Sequence, residues 1–350
     1  MSPRLHVLLG AGGVGKTTLA AGYALALAGQ GRRVGLLGID PARRLGTALG
    51  LALDDEARPV PDAGDLAAAV LAPARCLPRW AAEVAPPEVA RRLATNAFFV
   101  ALAERLATAN DVFAAIRLAE WMEKDPTLDD LVVDTAPGEN AIEFLRRPEA
   151  LSAFLEGPLV AGLRRFARAE RHGLAGHVLH RAAERALSGL GRIGGSTMLL
   201  ELADFLALAE DMLERMAERL GAARAAMAAP STEILLVAAL RDDAADTARA
   251  IAAALAPLGF RPRATVINRA FDPALGEELA GCELATLSPR SRAIVRYARA
   301  EASLQARVVA ELSALAPRSV LLPAARSLEG DVRRSGLLDL GERLHHQLSA

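Results

Sequence analysis

The chain has 350 residues, a formal net charge of −1, 52% hydrophobic and 24% charged residues. That composition supports a buried core and argues against disorder, and the balanced charge gives no general attraction to nucleic acid or anionic lipid. Its two cysteines, Cys76 and Cys282, lie far apart, which excludes a CxxC zinc staple or a disulfide framework.

In chain order, His6–Leu9 predicts a short buried strand, Gly10–Gly15 a glycine-rich turn, and Thr17–Ala28 a helix closed by Gly29 and Gly31. Val34–Ile39 is a second apolar run, stopped by Asp40-Pro41. Strand, turn, helix and strand in this order form a βαβ unit, so a parallel sheet is expected. Further strands are expected at Leu131–Val133, Glu233–Ala239, Arg263–Ile267 and Ser319–Leu322, with a helix over Asp243–Leu255.

Leu66–Glu123 and Pro148–Met227 have helical composition. In the second, Leu199, Leu202, Leu206, Ala209, Leu213, Met216 and Leu220 recur at intervals of three or four, giving one apolar stripe. Met198, Met212, Met216 and Met227 are read as core gap-fillers. His345-His346 reads as a solvated tail, and His177 and His180 lack the partners a metal site needs. With Gly-Ala-Gly-Gly-Val-Gly-Lys-Thr at residues 10–17 standing between strand and helix, the fold predicted is α/β, a P-loop NTPase with a mostly parallel sheet flanked by helices and an inserted helical subdomain. Residues 1–60, 125–147 and 230–350 would form the nucleotide domain, and 61–124 and 148–229 the helical insertions. No apolar stretch approaches the roughly 20 residues that span a bilayer, so no integral membrane segment is expected. Arg4–Leu9 leads into the glycine turn without a cleavage site, so a cytoplasmic protein is expected.

Residues 10–17, Gly-Ala-Gly-Gly-Val-Gly-Lys-Thr, fit GxxxxGK[ST]. Gly10, Gly12, Gly13 and Gly15 let backbone N–H groups, with that of Val14, curl around phosphate oxygens, and the helix N-terminus behind them favours an anion. Lys16 would reach the β- and γ-phosphates of ATP, and Thr17 would offer its hydroxyl to Mg²⁺, with Thr18 next along the helix. Lys16 is one of only two lysines in an arginine-rich chain, kept where a compact ammonium serves phosphate chemistry. Asp134 ends an apolar strand, as expected of a carboxylate on the Mg²⁺ side. Asp40 also ends a strand. Beside Pro41 it reads either as a turn former or as a carboxylate that orients the attacking water.

Gly-Gly-Val-Gly-Lys-Thr-Thr at 12–18, Asp40-Pro41-Ala42-Arg43-Arg44-Leu45 and Asp134-Thr135-Ala136-Pro137 together resemble the ArsA family of anion-transporting ATPases, which includes the tail-anchored-protein targeting ATPase. The resemblance implies that Asp40 orients water in a first switch, that Asp134–Pro137 form a second switch, that Asn268 reads adenine, and that Pro323 lies in the adenine-side loop. It also implies a dimer, homomeric or formed with a related ATPase subunit.

Ala11 stands where most family members carry a second, signature lysine that reaches the partner's phosphates. Loss of one such preorganised donor is worth about 3 kcal/mol, on the order of a hundredfold in rate. Trans-activation would then be lost, replaced by an arginine such as Arg43 or Arg44, or supplied by a non-identical partner. Gly138-Glu139-Asn140-Ala141 also departs from the targeting ATPase, and two cysteines do not make the three-thiol site of the arsenite ATPase. The resemblance thus implies an ATP-hydrolysing switch that targets or chaperones a hydrophobic client protein. A MinD/ParA-like positioning switch is the alternative, a small-molecule enzyme on the same scaffold is a third reading, and arsenite efflux is disfavoured.

Overall fold

The computed structural model describes residues 3–40, 44–97, 99–101, 110–138, 142–143, 145–146, 205, 208–323 and 333–349. Pro41, Ala42, Arg43, Glu139, Asn140, Ala141, His172, His177, His180, Met198, Leu199, Leu202 and Leu206 lie outside the described residues.

The apolar runs become strands because an unbroken series of Val, Leu, Ile and Ala can be buried on both faces of a parallel sheet. β1 (Arg4–Gly10), β2 (Val34–Gly38), β3 (Arg58–Pro59), β4 (Leu66–Val70), β5 (Asp130–Asp134), β6 (Glu233–Ala239), β7 (Ala264–Ala270) and β8 (Ser319–Pro323) form one sheet. Its order is β3-β4-β2-β5-β1-β6-β7-β8. Every pairing is parallel except that of β3 with β4. Among the described residues the helices are α1 (Lys16–Gly29), α2 (Arg44–Leu49), α3 (Pro73–Val84), α4 (Pro87–Thr95), α5 (Asn110–Lys124), α6 (Glu210–Ala228), α7 (Ala244–Leu255), α8 (Pro273–Gly281), α9 (Pro289–Leu312) and α10 (Arg333–Ser349). None is long and apolar enough to cross a membrane.

Two expectations need correction. The stretch read as helical from Leu66 opens instead with β4, which pairs with β2 from Val34↔Leu66 to Gly38↔Val70. Alanine favours helices in isolation, but Leu66-Ala67-Ala68-Ala69-Val70 offers no polar face, and burial beside β2 overrides that preference. The His345-His346 pair is no solvated tail either, since it lies on α10. α10 buries Leu337, Leu340, Leu344 and Leu348 in the core that also holds Leu8, Leu19 and Leu36. His345 is half-buried, with its ring 6.1 Å from that of Tyr23, while His346 is exposed.

The chain divides into two compact units: residues 1–70, 122–145 and 226–350, and residues 71–121 and 146–225. The first carries the whole sheet. In the second, Trp80, Leu93 and Phe113 are buried together with Met212 and Met216. Glu120, 1% exposed, accepts from Arg79 at 3.1 Å and pairs with Arg117 at 2.7 Å, so its buried charge is matched. Arg219 lies 5.9 Å from the Trp80 ring and 3.6 Å from Glu83. Met227, in the first unit, is also buried.

Candidate functional site

Parallel strands bring their C-terminal ends to one edge, where loops can collect chemistry from several strands. Leu8 of β1 and Gly38 of β2 both stand in register with Asp134 of β5, and Ala239 of β6 with Asn268 of β7. The glycine turn leaves β1 at this edge and opens α1. Gly15, the residue before the helix, has φ +97, a left-handed conformation that glycine adopts without strain. A Cβ on Gly10 would stand 2.2 Å from the Val237 carbonyl oxygen, so only glycine lets β1 and β6 continue this close.

The segment after β5 is tied to the turn. The Gly138 N–H donates to the Gly10 carbonyl at 3.0 Å, and the Thr135 hydroxyl donates to the Leu8 carbonyl at 2.6 Å. The Ile39 N–H donates to the Asp134 carbonyl at 2.9 Å, which fixes where Asp40 leaves the sheet. Two strand ends and the turn are thus held as one frame.

A cavity of about 220 Å³ opens on this frame. Gly13, Gly15, Lys16, Thr17, Thr18 and Asp40 line it, with Arg44, Ala48, Thr135, Pro137 and Arg269. The Lys16 ammonium is 6% exposed and donates to the carbonyls of Gly10 and Ala11 at 3.0 and 2.9 Å. Burial holds its pKa below the ordinary lysine value, against the pull of the Asp134 and Asp40 charges. Asp40 is half-buried, and its carboxylate lies 3.9 Å from the Arg44 guanidinium one helical turn on.

Asp134 is 2% exposed. Burial pushes its carboxyl up to about 6, although the Thr17 hydroxyl bond and the Lys16 charge pull the other way. Among the described residues its Oδ1 has no hydrogen-bond partner. A buried carboxylate oxygen left without a partner, on a carboxylate bonded to a threonine hydroxyl, is a hard-oxygen donor set that fits Mg²⁺.

Asn268 is 5% exposed and does not line the cavity. Its Nδ2 donates to the Val14 carbonyl at 2.9 Å, and its Oδ1 accepts from the Arg269 N–H at 3.0 Å. A Cβ on Gly15 would lie 2.2 Å from that Nδ2, so glycine here lets β7 buttress the turn. Pro323 ends β8 in register with Ala270 and stands outside the cavity lining. Gly10, Gly12 and Val14 belong to the turn but are not among the residues that line this cavity.

The profile of the anion-transporting ATPase family matches residues 4–285. The chain belongs to the ArsA family. The ArsA family is built on the P-loop NTPase fold, which the eight-stranded sheet and its glycine turn display here. The arsenical pump-driving ATPase of Acidiphilium multivorum is 32% identical over 152 residues, 42% of this chain and 26% of that protein. One from Escherichia coli is 29% identical over 159 residues, 44% of this chain and 27% of that protein. An uncharacterised protein of Streptomyces coelicolor is 31% identical over 286 residues, 76% of this chain and 62% of its own length. The match thus spans about a quarter of either pump-driving relative.

Sequence reasoning about this ArsA-family chain passed over Arg269 as a cavity residue. The available signal was a cation directly after Asn268 at the end of an apolar strand. What it lacked was the backbone: Arg269 has φ +59, one of two non-glycine residues in the left-handed region among those described.

Proposed function

We propose that the chain binds Mg-ATP in this cavity and hydrolyses it, using the reaction to switch conformation. One observation carries the reading: the Lys16 ammonium and Thr17 hydroxyl share a cavity, and Thr17 bonds a buried aspartate that keeps one oxygen unpaired. In this reading the backbone N–H groups of Gly13–Thr18 bind the phosphates, and Lys16 leaves its carbonyl partners to meet them. Thr17 and Asp134 hold Mg²⁺, which would neutralise phosphate charge. Asp40 orients the attacking water, and the segments after β2 and β5 sense the terminal phosphate. No covalent intermediate is needed.

The proposal extends to a cytoplasmic ATPase that acts as a dimer and targets or chaperones a hydrophobic client through its second unit. Support for the client is the size of that unit and the family's organisation. Met212, Met216 and Met227 are buried, so they do not offer an open apolar groove. The arsenical role printed for the relatives is not extended to this chain, because Cys76 is buried with its thiol bonded to the Ala72 carbonyl and only Cys282 remains. Strong stimulation of phosphate release by arsenite would reverse that choice.

The test is calorimetry with ATP, ADP and GTP in the presence of magnesium, followed by phosphate release. Wild-type protein should bind ATP and ADP and release phosphate. Lys16→Ala should abolish turnover and weaken binding. Asp40→Asn should keep ATP bound while hydrolysis falls by about a hundredfold or more. Wild-type turnover in Asp40→Asn would remove Asp40 from the mechanism, and absence of binding by the wild type would remove the nucleotide reading altogether.

A further inference from the structure

The cavity has a direction. Asp40 follows β2 and Arg269 lies in β7, and between these strands stand β5, β1 and β6. Four inter-strand steps of about 4.8 Å separate them by roughly 19 Å, with the phosphate-binding turn in between. If the terminal phosphate lies on the Asp40 side, the nucleoside lies on the Arg269 side.

Arg269 occupies a built position there. The pairing of β7 with β8 shifts register between Asn268 and Ala270, so Arg269 is the extra residue of a β-bulge. Bulges re-aim a side chain, and the left-handed residue in them is commonly glycine. Here it is an arginine, held at φ +59 while the Asn268 side chain accepts from its N–H at 3.0 Å. The guanidinium is exposed, lines the cavity, and makes no hydrogen bond or ion pair among the described residues. Arg44, on the Asp40 side of the same cavity, differs in facing the Asp40 carboxylate. A strained backbone that turns an unpaired guanidinium into a ligand cavity is an arrangement that packing does not require.

We infer that Arg269 is a nucleotide-contacting residue whose guanidinium lies against the face of the base, a role that rests on the nucleotide-site reading above. The chemistry is that of a flat cation on an aromatic ring. The phosphates are already served by Lys16 and the turn amides, while among the described residues nothing else lining the β7 side of the cavity offers a planar group. Asn268 then acts twice, bracing the turn at Val14 and pinning the arginine backbone.

The experiment compares Mg-ADP with magnesium tripolyphosphate, which has the charge but no base, by calorimetry on the full chain. Arg269→Ala should weaken ADP about tenfold and leave tripolyphosphate within about twofold. Arg269→Lys should not restore ADP affinity, since it keeps the charge and loses the plane. Arg269→Gly should hold or raise the melting temperature, because glycine suits the bulge, while losing ADP affinity as alanine does. Unchanged ADP affinity in Arg269→Ala, equal loss for both ligands, or rescue by lysine would each overturn the assignment. Wild-type protein that binds neither ligand would instead overturn the nucleotide site itself, and the assignment with it.

Discussion

Asp134 is held in a state that folding alone disfavours. It is almost fully buried, and among the described residues one of its oxygens has no partner while the Thr17 hydroxyl bonds its side chain. A buried charge with incomplete pairing costs stability, on the order of 1–3 kcal/mol for the unsatisfied group. Asp134→Asn removes that charge while keeping an oxygen for Thr17. It should therefore raise the melting temperature of ligand-free protein and abolish the gain in ADP affinity that magnesium gives. A variant less stable than wild type in thermal melts, with its magnesium dependence intact, would show that the carboxylate serves packing and not a cation. Lys16 shows the same tension: burial depresses its pKa, and its ammonium rests on two carbonyls of its own turn.

Two sets of elements are locked by contacts that their sequences do not advertise. α1 and α10 cross where Gly22 meets Gly341. A Cβ on Gly341 would come within 1.9 Å of the Gly22 carbonyl oxygen, and one on Gly22 within 2.4 Å of the Leu337 carbonyl oxygen. In an isolated helix glycine to alanine gains up to about 1 kcal/mol. Here the clash with backbone should win. Gly341→Ala is expected to lower stability by roughly 1–3 kcal/mol in urea unfolding, opposite in sign to the propensity scale.

The second lock joins β5, β1 and β6 at their N-terminal ends. His6, 2% exposed, bonds Asp130 at 2.8 Å and Glu233 at 3.2 Å. Arg32 pairs with Asp130, Arg263 pairs with Glu233 at 2.6 Å, and the Tyr23 ring stands edge-on to the imidazole at 5.1 Å. Burial by itself would lower the His6 pKa, but the hydrogen bonds to Asp130 and Glu233 outweigh it, so the net shift is upward from 6.5. The same pairing holds Glu233 below its ordinary 4.5, although its burial acts the other way. A raised histidine stabilises fully below its unfolded value, and the benefit is lost as pH rises through the folded value. A lowered carboxylate stabilises above its unfolded value, and the benefit is lost as pH falls through the folded one. The stability gap between wild type and His6→Gln should therefore be widest between about pH 4.5 and 6.5 and narrow in alkali. A gap that widens steadily above neutrality in thermal melts at several pH values would contradict this account.

At the scale of the whole molecule, a parallel sheet interrupted twice in sequence still closes as one unit of residues 1–70, 122–145 and 226–350. The central strands come from all three stretches, because β1, β5 and β6 are neighbours. The segment that leaves β5 at the cavity leads on in sequence to the second unit, which resumes at residue 146. The trapped Asp40→Asn state is the form in which a coupled partner or client should remain bound, and the phosphate-release test above governs whether that trap exists.

The glycine turn, its lysine and threonine, the two strand-end aspartates and the six apolar strands around them were legible in the sequence, because each rests on local chemistry or on a short unbroken apolar run. β4 was not, since alanine-rich runs suit a helix until a neighbouring strand buries both their faces. The tertiary structure alone decided that Gly22 and Gly341 meet, that His6 sits between carboxylates 124 and 227 residues away, and that Asn268 supports the turn. It alone shows Arg269 turned by a bulge into the cavity. Backbone torsion, close approach and the pairing of buried charges depend on what lies across the fold, and no window of sequence contains that neighbour.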